Sequence, residues 1–105
     1  MGKVTVTSPF DGELLGELET TNETGIESAL TRAHALFRDR SKWLTKARRI
    51  EILRTAAELI RERREELALA SAKEGGKPLQ DSLVEIDRGA DGVETCVEEL
   101  RTQGG

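Results

Sequence analysis

The chain has 105 residues, 36% hydrophobic and 34% charged, with three aromatic side chains (Phe10, Phe37, Trp43), one cysteine, one histidine and a formal net charge of −4. That length allows at most one domain, the acidic balance argues against a basic nucleic-acid-coating protein, and Cys96 with His34 can supply neither an internal disulfide nor a zinc site. No apolar run approaches the roughly 18 residues of a membrane span, and Met1 leads straight into polar sequence. The expectation is therefore a cytoplasmic protein without leader, anchor or covalent staple, whose core is made of Leu, Ile, Val and Ala.

The first elements read as a β-hairpin over about residues 3–19. Lys3-Val4-Thr5-Val6-Thr7 alternates with period two, Ser8-Pro9-Phe10-Asp11-Gly12 supplies turn chemistry, and Leu14-Leu15-Gly16-Glu17-Leu18 resumes an extended pattern. A lone two-stranded hairpin is marginal in water, so it must lean on another element.

A first helix is predicted over about 25–38, with Thr24 and Glu27 as a capping box. Its face carries Ile26, Leu30, Ala33 and Phe37, and Trp43-Leu44 form a short apolar anchor beyond it. The sequon-like Asn22-Glu23-Thr24 is explained by this helix start rather than by glycosylation.

Thr45 is the expected N-cap of a second helix over about 46–73, stopped by Gly75-Gly76 and Pro78. It carries two apolar stripes: Ile50, Leu53, Ala57, Ile60 and Leu67, and beside them Ile52, Ala56 and Leu59. At 1.5 Å per residue such a helix is about 42 Å long, whereas a compact chain of this size is only about 34 Å across. Either the protein is elongated or it lies along a larger body.

A third helix over about 78–102 carries Leu83, Ile86, Ala90, Val93, Val97 and Leu100 as the seam of helix-on-helix packing. Gly89 and Gly92 lie inside it; they admit a close neighbour or mark a weak spot, and the sequence leaves both open.

No group of residues is placed to run a reaction. Cys96 has Glu94, Glu98 and Glu99 around it instead of the cation or histidine that would stabilise a thiolate. His34 has no partner at a suggestive spacing. Asp11-Gly12-Glu13-Leu14-Leu15-Gly16 lacks the pattern of a phosphate loop, and Glu74-Gly75-Gly76-Lys77-Pro78 is explained as a helix stop rather than an anion nest. The basic residues of the second helix (Lys46, Arg48, Arg49, Arg54, Arg61, Arg63, Arg64) are interleaved with five glutamates, and pairs such as Glu58/Arg61 and Arg61/Glu65 suit local ion pairing. The third helix is acidic, a polarity suited to docking on the second or to attracting a basic partner. The expectation is no catalytic, cofactor-binding or metal-binding residue in this chain, and no nucleic-acid or membrane partner.

The order of the segments nevertheless resembles the opening of the aldehyde dehydrogenase superfamily. Ser8-Pro9-Phe10-Asp11-Gly12-Glu13 through Gly16-Glu17-Leu18 is similar to that family's hairpin, usually asparagine-proline-alanine-threonine-glycine-glutamate, with Ser8, Phe10 and Asp11 as variants around the shared proline, glycine and acid. Arg48/Arg49 with Ile52-Leu53, then Ala57, Leu59-Ile60, Arg63, Glu66-Leu67-Ala68, Glu74 and Gly76-Lys77-Pro78 resemble its second helix and sequel, and Glu85 matches an acid of the next helix. The resemblance covers about residues 4–101. It implies a mainly α fold, a hairpin plus three helices, forming an incomplete N-terminal piece of the family's α/β cofactor-binding domain. It also implies an NAD(P)-dependent oxidation of an aldehyde to an acid in a full-length parent. The family's catalytic cysteine, glutamate and asparagine, its dinucleotide-contacting lysine and its glycine-rich turn all lie downstream, so Cys96, Gly76 and Lys77 inherit none of those roles. The chain alone is expected to be inactive, to partner the remainder of the parent enzyme, and to self-associate through exposed apolar helix faces. A standalone helical interaction module is the rival reading, parted from the first by whether coding sequence continues past Gly105.

Overall fold

The computed structural model describes residues 2–103. An antiparallel hairpin, β1 (Lys3–Thr7) and β2 (Leu14–Glu19), precedes four helices: α1 (Glu23–Arg38), α2 (Lys46–Glu62), α3 (Arg64–Gly75) and α4 (Leu79–Thr102). A single 3-10 turn, Arg40–Lys42, joins α1 to α2. The mainly helical class and the hairpin agree with the sequence-based expectation, but four helices stand where three were predicted.

The hairpin register pairs Val4 with Leu18 and Val6 with Gly16, and an irregularity between Val6 and Thr7 brings Thr7 opposite Leu14. Its turn is closed by Ser8 N–H donating to the Glu13 carbonyl (2.8 Å) and Gly12 N–H to the Ser8 carbonyl (2.9 Å). Gly12 adopts φ 76°, where a side chain would be strained.

The additional helix boundary falls at Arg63, in the bridge region at φ −97°, ψ 18°. Neither proline nor glycine lies nearby, so no local breaker marks it. It coincides with tertiary contacts on either side. Arg61, just before the break, bonds Asp91 and Glu94 on α4, and Arg64, just after it, bonds Asp87. The two short helices are thereby held separately on the same long partner.

The start of α1 also departs from expectation. Its N-cap is Asn22, whose Oδ1 accepts from Gly25 N–H at 2.9 Å, so Thr24 lies within the first turn and forms no capping box. Asn caps as well as any residue, and its short amide reaches the third residue on. Thr45 caps α2 as predicted, accepting from Arg48 N–H at 3.1 Å. Gly76 ends α3 as predicted, in the left-handed region at φ 64°, with Lys77 N–H reaching back to the Ala72 carbonyl.

The core lies where α4 packs against α2 and α3 in turn. Ala57, Ala68, Ala90 and Val97 are buried, and Leu53, Ile60, Leu67, Leu83, Ile86, Val93 and Leu100 are half-buried around them. The predicted α4 seam is thus the packed face, and the Ile50–Leu67 stripe of the second helical region is its counterpart. Small alanines at the centre let the helix axes approach closely. The molecule is elongated, 51 × 37 × 17 Å, with a radius of gyration of 18.2 Å, against about 13 Å for a compact chain of this length.

A candidate docking surface

Cys96 and His34, the two side chains weighed as nucleophile or base, lie on different helices. Cys96 is exposed on α4, and His34 is exposed on α1. Among the described residues no group of three His, Cys, Asp or Glu side chains could hold a metal ion, and no helix is long and apolar enough to cross a membrane.

The Gly75-Gly76-Lys77 segment is occupied by the chain itself. A Cβ placed on Gly76 would lie 2.6 Å from Pro9 Cγ, so the hairpin tip rests against the end of α3. That contact gives the hairpin its support. Lys77 forms an ion pair with Glu85 on α4. Between strand and helix runs a groove of about 280 Å³ lined by Leu15, Leu69, Ala70 and Lys73 among others. Gly89 and Gly92 have open space beside them: a Cβ on either would meet nothing within 4 Å.

The polar contacts form a ladder between helices. Arg61 donates to Glu94 (2.8 Å) and Asp91 (3.1 Å), and Arg64 donates through both Nε and Nη2 to Asp87 (2.6 and 2.9 Å). The local partners expected for Arg61, Glu58 and Glu65, are not the ones it takes, because the α4 carboxylates approach its guanidinium more directly. Within helices, Arg48 pairs with Glu51 and Arg63 with Glu66, three residues apart. Hydrogen bonds from the arginines hold the Glu94, Asp87 and Glu66 carboxyls below the usual carboxylate range, and push Arg61, Arg63 and Arg64 upward. The predicted charge polarity therefore docks the second helical region onto the third.

What the structure leaves open is apolar surface. On α1, Ile26, Leu30, Leu36 and Phe37 are all exposed, Phe37 by 66%, and α1 has no buried residue. Beside it Trp43 donates its indole N–H to the Leu36 carbonyl (2.9 Å) and sits 5.8 Å from the Phe37 ring, while Arg40 lies 5.4 Å from the indole centroid. This corner is ordered by its own contacts yet remains half open. The outer stripe of α2 shows Ile52 and Leu59, the hairpin shows Val4 and Leu18, and Phe10 at its tip is 92% exposed.

The accessible surface totals 8378 Å². A compact folded chain of 11.6 kDa exposes about 5,800 Å², so roughly 2,500 Å² is in excess, about three times what each partner contributes to a standard interface. The sequence signalled this through an overlong helical region with two apolar stripes. The exposure of α1 was less legible, since its single apolar face is equally compatible with an internal partner.

Residues 2–105 match the aldehyde dehydrogenase family. The chain is 36% identical over 98 residues to the mitochondrial succinate-semialdehyde dehydrogenase of Oryza sativa subsp. japonica, a match covering 93% of this chain and 18% of that protein. Its fold is similar to that of an NAD-dependent aldehyde dehydrogenase from Sinorhizobium meliloti, with a TM-score of 0.87 and 29% identity over 99% of this chain and 21% of that one. It is similar also to Gox0499, whose selection of cofactor and substrate has been studied structurally, with a TM-score of 0.73 and 30% identity over 87% of this chain and 20% of that one. The chain spans about a fifth of the length of the relatives it matches.

Proposed function

This chain belongs to the aldehyde dehydrogenase family, and from that premise we propose that it is the N-terminal segment of a longer NAD(P)-dependent enzyme that oxidises an aldehyde to a carboxylic acid. In this reading it is a structural part of the cofactor-binding domain and has no dehydrogenase activity alone. The observation that carries the reading is the set of exposed large apolar side chains on α1, the outer stripe of α2 and the hairpin. The occupant of that surface is the remainder of the parent polypeptide, whose burial of it would contribute stabilisation at about 25 cal/mol per Å² of apolar area.

Cofactor and catalytic groups belong, in this reading, to the remainder. What supports this is local: the space at Gly76 is filled by Pro9, Lys77 is held by Glu85, and Gly12 lies in a hairpin turn rather than at the start of a helix. Set free, the same apolar faces drive self-association of the isolated chain. Family membership counts against the rival reading of a standalone interaction module.

The test replaces the corresponding N-terminal segment of the Sinorhizobium meliloti enzyme with residues 2–103 of this chain. We expect a soluble chimera that forms NADH from aldehyde, measured by absorbance, while the 105-residue chain forms none. Leu30→Asp with Ile52→Asp should abolish folding or activity of the chimera yet leave the helix content of α2–α4 in the free chain intact. NADH production by the free chain, or a chimera indifferent to both substitutions, would overturn the proposal.

A further inference from the structure

No further inference is drawn: the strongest candidate, the groove beneath the hairpin tip at the N-terminus of α4, flanked by Lys73 and Lys77, carries nothing because Lys77 is already paired with Glu85 and no buried unpartnered polar group lines it as a sign of a ligand.

Discussion

Replacing Gly76 by alanine tests how the hairpin is joined to the helices. Two costs arise at one position. The backbone stands at φ 64°, where a Cβ costs roughly 1–2 kcal/mol. The new methyl would also lie 2.6 Å from Pro9 Cγ, well inside the roughly 3.5–4.0 Å of a comfortable carbon contact. A proline ring cannot swing aside, so the hairpin tip must retreat by about 1 Å or the end of α3 must unwind, a strain on the order of 1–3 kcal/mol. The sum is about 2–5 kcal/mol. With about 4–8 °C lost per kcal/mol in a domain of this size, the melting temperature should fall by at least roughly 8 °C. The assay is thermal and urea unfolding followed by circular dichroism at 222 nm. Gly75→Ala is the control: its nearest neighbour would be a flexible Lys77 methylene at 3.8 Å, and its helical backbone favours alanine by up to about 1 kcal/mol. Equal stability of Gly76→Ala and the parent chain, or equal damage from Gly75→Ala, would refute the contact.

Other substitutions probe the remaining elements. Asn22→Ala should remove about 1 kcal/mol of capping and lower the helicity of α1, whereas Thr24→Ala should change little; chemical shifts of residues 23–38 distinguish them. Ser82 is buried with an unpartnered hydroxyl, so Ser82→Ala should raise the urea midpoint by the equivalent of about 1 kcal/mol. Alanine at Gly89 or Gly92, where open space awaits the methyl, should stabilise α4 in the free chain by about 1 kcal/mol each, read as a higher melting temperature. The lowered carboxyls of Glu94, Asp87 and Glu66 contribute stability that is present above their unfolded values near 4.5 and 3.8 and lost as the pH falls through the folded ones. Melting temperature should therefore be level above about pH 5 and drop below about pH 4. Arg61→Gln should flatten that drop, and added salt should reduce it. A melting temperature that rises on acidification would contradict the ladder.

The parts of the fold that were legible in the sequence are those written locally. Thr45 and Gly76 end their helices by side-chain reach and by left-handed backbone, properties of the residue itself. The α4 seam repeats from Leu83 to Leu100, nearly five turns, enough to settle which face packs. Asn22 and Thr24 are both good caps two residues apart, and the choice between them rests on backbone geometry that sequence does not display. The break at Arg63 has no proline or glycine to announce it. It coincides with Arg61 and Arg64 finding carboxylates on a helix more than twenty residues away, and pairings across such a distance compete with local ones that look equally good on paper. The open docking surface was half legible. Two stripes on one helical region call for two neighbours, and among the described residues only α4 packs along it.

Amide hydrogen exchange of α1, in the free chain and in the chimera, tests that claim most directly. α1 buries no residue of its own, and an isolated helix of this length is marginal in water. The account predicts fast exchange in α1 beside protected amides in α2 and α4 of the free chain at concentrations where it is monomeric, and protection of α1 once the remainder of the enzyme covers it. An α1 as protected alone as in the chimera would contradict it.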